Sequence, residues 1–170
     1  MTIRAATPDD AAACAAVQVR SWQATYAGIL PQEHIDRRTV EFRTAQWTER
    51  LRAGEEDIFV ACEPDGAIVG FTSGGRSVEA VEGFDAEIGT IYLLPEAQGK
   101  GIGKQLLRAL SAALQEKGFK AAWVRVLSDN APARRFYEKC GAEVVCETEE
   151  DIDGFIYREH FYGWRDLAKL

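Results

Sequence analysis

The segment Ile91-Tyr92-Leu93-Leu94-Pro95-Glu96-Ala97-Gln98-Gly99-Lys100-Gly101-Ile102-Gly103-Lys104 joins a run fit for a strand to a run fit for a helix. Upstream, residues 86–94 form the longest strand candidate, and Pro95 ends it because proline cannot donate to a ladder. Downstream, Ile102, Leu106, Leu107, Leu110 and Leu114 fall on one helical face, and Gly118 supplies a left-handed stop. Between the two runs, Gly99, Gly101 and Gly103 alternate. Glycines there remove side chains that would hold an anion off the backbone, and the free N–H groups of a helix start point the same way. Lys100 and Lys104 add positive charge. The segment reads as a diphosphate cradle; the plainer alternative is a glycine-rich turn that binds nothing.

Two other phosphate motifs fail on spacing. A Walker A loop needs Gly, four residues, then Gly-Lys-Ser/Thr, but Gln98 stands where its first glycine belongs and Gln105 follows Gly103-Lys104. A dinucleotide fingerprint counted from Gly99 puts Lys104 in the place of its third glycine.

Outward from this centre, residues 2–6 read as a short strand, and Thr7-Pro8-Asp9-Asp10 as a capped helix start. Val19, Trp22 and Tyr26 continue a helical stripe that ends near Gly28. A second helix is predicted from about Pro31 to Gly54, with Ile35, Phe42, Trp47 and Leu51 on its buried side. Residues 57–62 and 67–73 pair across the turn Pro64-Asp65-Gly66. Residues 121–127 form a buried strand, and Asn130 caps a helix over 131–139 that Gly141 closes. Two last strands, about 143–147 and 155–164, flank a turn near Asp153-Gly154. This order predicts a mixed α/β fold, one domain over 1–170, with helices on both faces of a central sheet. The strand–helix–strand unit at 86–127 is where a parallel pair would have to lie.

Composition narrows the function classes. At 170 residues the chain is long enough to bury a core without disulfides or metals. Its longest apolar runs are a few residues, too short to span a bilayer, and Met1-Thr2-Ile3-Arg4 opens no secretory signal, so a cytoplasmic location is expected. A net charge of −7 argues against nucleic acid and suits a cationic, amine-bearing partner, although solubility alone explains it too. Cys14, Cys62, Cys140 and Cys146 are scattered and read as buried, reduced thiols. His34 and His160 lack neighbours at ligand spacing, so no metal site is expected.

With these parts in place, the sequence resembles the GCN5-related N-acetyltransferase (GNAT) superfamily. That family's motif, Gln/Arg-x-x-Gly-x-Gly/Ala at the end of the fourth strand, is matched by Gln98, Gly101 and Gly103. The opening Ile3-Arg4-Ala5-Ala6-Thr7-Pro8-Asp9-Asp10, the element order, and Ala133-Arg134-Arg135-Phe136-Tyr137-Glu138-Lys139-Cys140-Gly141-Ala142 extend the likeness over essentially the whole chain. The resemblance implies a twisted, mostly antiparallel sheet whose single parallel pair is splayed at the cofactor site. It implies acetyl-CoA as co-substrate and an amine as acceptor. The backbone of Gly99, Lys100, Gly101, Ile102, Gly103 and Lys104 would hold the pyrophosphate, while Ile91, Tyr92 and Leu93 would pair with the pantetheine arm like an added strand. A bulge would part the fourth strand from the fifth, and the Leu93 amide would face the thioester carbonyl as an oxyanion donor.

The same resemblance assigns Tyr137, seven residues after Asn130, as the acid that protonates the leaving thiolate and so touches the cofactor; packing alone is the alternative. Asn130 matches a cofactor-contacting position and is equally a helix cap. Glu87 is the leading base candidate, working through water, or else a salt-bridged strand carboxylate. Strand alternation would put it on one face with Ile91 and Leu93 unless the bulge intervenes. Asp85, Glu150, Asp151 and Asp153 are the fallbacks. On the acceptor side, Trp22, Tyr26 and Trp47 read as core before pocket, and the acidic stretch 147–153 as a solvated turn. An enzyme is expected; a catalytically idle acyl-CoA-binding module of the same fold is the alternative. A homodimer is the default assembly.

Overall fold

Hairpins build the first half of the sheet. The apolar run of β2 (Asp57–Cys62) pairs antiparallel with β3 (Ile68–Arg76), and β1 (Thr2–Ala5) adds to the outer edge of β2. On the other side β3 pairs antiparallel with β4 (Ala86–Leu93). The second half is β5 (Ala122–Leu127), β6 (Glu143–Ile152) and β7 (Phe155–Trp164), giving one seven-stranded sheet in the order β1-β2-β3-β4-β5-β7-β6. Among the strands of the described residues only β4 and β5 run parallel, as the expected crossover requires. The computed structural model describes residues 1–152 and 154–170, so Asp153, a fallback base and part of the expected last turn, lies outside the described residues.

Helices cover both faces. Phe71 of β3 packs edge-on against Trp47 in α3 (Val40–Ala53), and Trp22 of α1 (Ala11–Tyr26) donates to the Tyr92 hydroxyl, so α1 and α3 share the Phe71–Tyr92 face. The opposite face meets α4 (Ile102–Glu116), whose Leu110 reaches Gly74. On that side α5 (Ala131–Lys139) sets Tyr137 against Trp164. Two apolar cores result. Ala15, Val17, Trp47, Val60 and Phe71 belong to one, and Ile88, Val124, Tyr162 and Trp164 to the other. The amphipathic α4 lends Ile102 and Leu106 to the first core and Leu107, Leu110 and Leu114 to the second. No helix among the described residues is long and apolar enough to cross a membrane.

Four expectations need correcting. The predicted helix over 31–54 is two, α2 (Gln32–Asp36) and α3, because the Thr39 side chain accepts the Phe42 amide at 3.2 Å and starts a new helix. The restart shifts the helical phase, so Phe42 is 53% exposed while Trp47 stays buried. The acidic stretch is strand through Ile152, with Glu149 paired to Arg158 at 2.6 Å and Glu147 to His160 at 3.0 Å. Cys14, Cys62 and Cys140 are buried, but Cys146 is exposed on β6, an edge strand with one face open.

Candidate active site

Ser73 pairs with Thr90 and Gly74 with Ile88, which leaves Gly89 as one extra residue in β4. Past this bulge β4 diverges from β5: the two strands pair only at Ala86–Ala122 and Glu87–Trp123. Residues 88–93 therefore have a ladder to β3 on one side and a gap on the other. The Leu94 amide donates to the Val69 carbonyl at 2.9 Å. By ladder alternation the Ile91 and Leu93 amides point away from β3, into the gap. The Leu93 carbonyl shares that side and accepts Ser21 Oγ at 2.8 Å and Gln98 Nε2 at 3.3 Å. Gln98 thus braces the strand end with its side chain. Tyr92 turns its ring to the α1 face, where its hydroxyl accepts Trp22 Nε1 at 2.8 Å.

The glycine segment ends at the start of α4. Gly99 and Gly101 have φ of +73° and +80°, a left-handed conformation that side-chain-bearing residues rarely adopt. Gly101 is the cap residue and offers no side chain, so the first amides of α4, from Ile102 to Lys104, have no intrahelical acceptor. That arrangement fits an anion such as a diphosphate. Gly103 has a packing use as well: a Cβ there would sit 3.1 Å from the Phe136 ring, so this glycine lets α5 approach. Lys104 borders the cavity, whereas Lys100 is exposed and outside its lining.

Asn130 is the expected helix cap and also reaches the cavity wall. Its side chain accepts the Ala133 amide at 3.1 Å, capping α5, and donates to the Tyr26 hydroxyl at 3.3 Å at the cavity wall. Tyr137 is buried, yet it borders the cavity and its hydroxyl has no hydrogen-bond partner among the described residues. Burial pushes its phenol well above the usual tyrosine range, and the neighbouring phenols of Tyr26 and Tyr92 push it further. It therefore keeps its proton at neutral pH, as a general acid must.

Glu87 does not share a face with Ile91 and Leu93. The extra residue at Gly89 breaks the alternation, so Glu87 lies with Thr90 and Tyr92, on the side of α1 and α3. Desolvation raises its carboxyl above the usual range, partly offset by Arg125 and by the Val78 amide. Glu159, opposite Leu127 in the ladder, is raised for the same reason and lies 3.4 Å from Arg125. Among the fallbacks, Asp85 is structural, accepting the Lys120 and Ala121 amides at 3.0–3.2 Å. Asp151 accepts the Gly154 amide at 2.8 Å, and Glu150 borders the cavity.

The cavity that joins these groups encloses about 1560 Å³, room for a nucleotide-sized ligand and a second molecule. Trp47 is core as expected, but Trp22 and Tyr26 line the cavity. Arg38, Arg43, Arg125, Tyr157 and Glu159 also line it and were not singled out from the sequence. Arg125 did carry a signal: it is the lone charge inside the apolar run 121–127. The arginines near the α2–α3 break carried none while the region read as one helix.

Comparison with known proteins places this geometry. The profile described as the acetyltransferase (GNAT) family matches residues 18–142. An uncharacterized N-acetyltransferase, YuaI, of Bacillus subtilis (strain 168) is 34% identical over 100% of this chain and 96% of its own. The aminoglycoside N(6')-acetyltransferase type 1 of Stenotrophomonas maltophilia is 30% identical over 89% of this chain and 90% of its own. Among solved structures, the Salmonella typhimurium yncA, a putative acetyltransferase with its cofactor acetyl-CoA, superposes with a TM-score of 0.73. It is 25% identical, covering 98% of this chain and 94% of that one. The chain therefore belongs to the GNAT acetyltransferase family and is an acetyl-CoA-dependent N-acetyltransferase.

Proposed function

We propose that the enzyme acetylates a primary amine of a small molecule or peptide by direct attack of the amine on the thioester. The observation that carries this reading is the gap past Gly89, into which the Ile91 and Leu93 amides point, together with a helix start that has no side-chain cap. Bound acetyl-CoA supplies an activated acetyl group. Residues 99–104 of the chain hold the diphosphate, and the backbone of Ile91, Tyr92 and Leu93 aligns the amide-bearing arm. The Leu93 amide donates to the oxygen on which negative charge develops, a role in which such donors contribute about 3–4 kcal/mol. Tyr137 delivers its proton to the departing sulfur, and Glu87 takes a proton from the incoming ammonium through water. Its raised carboxyl is better matched to that task than an ordinary one. An acceptor screen with acetyl-CoA, read by mass spectrometry, tests the reading. One acetyl group gained by an amine is the expected result. Cofactor binding without turnover on any amine would instead identify an idle acyl-CoA-binding module.

A further inference from the structure

Two partly exposed arginines meet carboxylates: Arg50 meets Glu56 at 2.5 Å and Arg125 meets Glu159 at 3.4 Å. Arg38 and Arg43, both half-buried, do not. Arg38 lies in the break between α2 and α3, its guanidinium 4.0 Å over the Trp22 ring, and donates to the His34 carbonyl. Arg43, in the first turn of α3, donates to Gln46 Oε1 at 2.7 Å. Neither pairs with a carboxylate among the described residues, and the Nε of each is buried without a hydrogen-bond partner. Both border the cavity whose sheet side carries Glu87 and Glu159.

A half-buried guanidinium whose Nε is shut off from water and unpaired carries a desolvation cost. Here two guanidiniums stand close enough to oppose each other: burial first, then Arg38 and Arg50, push Arg43 below its usual range. An anion would relieve that repulsion, and the arginine fork suits planar or tetrahedral oxyanions. The same cavity attracts an ammonium at its carboxylates. A simple polycation is repelled at one end, and a simple anion at the other.

We propose that the acceptor is amino-acid-like, presenting its amine to the sheet carboxylates and a carboxylate or comparable oxyanion to Arg38 and Arg43. This rests on the acetyltransfer reading above and names its substrate class.

The test compares an α-amino acid, its carboxamide, its decarboxylated amine, the matching aminophosphonate and a polyamine as acceptors, by thiol release. The acid should exceed its carboxamide by ~10-fold or more in kcat/KM, mainly through KM. In Arg43→Gln and Arg38→Gln that preference should collapse, with the KM for acetyl-CoA unmoved, while Arg43→Lys keeps part of it. The phosphonate arm separates a carboxylate reader from a general oxyanion reader. Calorimetry with an N-acetyl amino acid and CoA, on wild type and Arg43→Gln, supplies a readout independent of turnover. Arginine-dependent binding without turnover upholds the anion site and sinks the transfer mechanism. Carboxamide, plain amine or polyamine turned over as well as the acid overturns the proposal and leaves the transfer reading standing. Neither turnover nor binding of any acid overturns it as well.

Discussion

Tyr137 shows how one side chain is readied by its surroundings. Its ring is wedged against Phe136, Tyr162 and Trp164, with centroids 5.3–6.1 Å away, so the phenol is held by packing and its hydroxyl is left free. Tyr137→Phe removes no hydrogen bond among the described residues. It should therefore leave the melting temperature within a degree or two while lowering kcat by ~10²-fold or more. Steady-state thiol release together with calorimetric acetyl-CoA affinity checks this; wild-type kcat would remove Tyr137 from the chemistry. At this scale the sequence was legible wherever a local rule set the residue. Asn130 had to cap whatever else it did. Glu87 could be named but not oriented, since its direction depends on a single inserted residue two positions away. Glu159, Arg38 and Arg43 owe their importance to groups far off in the chain, which spacing does not reveal.

At the scale of elements, the start of α4 tests the anion cradle. A side chain at Gly101 meets nothing within 4 Å, so the penalty of substitution lies in the backbone, at φ +80°. Gly101→Val should cost about 1–2 kcal/mol of stability, leaving the protein folded, yet turn the first α4 amides off target. CoA affinity should fall by more than ~10-fold in calorimetry; unchanged affinity would show that the glycine segment is an ordinary turn. The elements around this point were readable because strand, turn and helix signals follow in quick succession. The α5 helix is found at 131–139 as expected for the same reason. The break between α2 and α3 was hidden, since apolar residues recur at helical spacing on both sides of Thr39 and only the cap geometry separates them.

For the whole molecule, the N-terminal strand is fastened by charge. Both Nη atoms of Arg4 in β1 reach the Asp10 carboxylate, at 2.7 and 2.8 Å, and the Thr7 amide donates to it at 2.7 Å. These bonds, Arg4 foremost, outweigh burial and hold Asp10 down at about 2, below its usual value of 3.8. A carboxyl depressed in the folded state stabilises it above the unfolded pKa, and that contribution fades as pH falls from about 4 toward about 2. Screening at the partly exposed Arg4 leaves a term on the order of 1 kcal/mol. Urea denaturation of wild type and Asp10→Asn should differ by that amount at pH 7 and converge near pH 2. A constant difference would place the effect in packing.

The helix proposed to receive the diphosphate is also the member common to both apolar cores, and the two halves of the sheet are stitched to each other by only two residue pairs. A ligand laid from the first turn of α4 into the gap acts as a splint across that seam. At a hundredfold excess over its Kd, such a ligand favours the folded chain by about 2.7 kcal/mol. Limited proteolysis should accordingly be slower with acetyl-CoA present than without it, and equal rates would show that the seam gains nothing from the ligand.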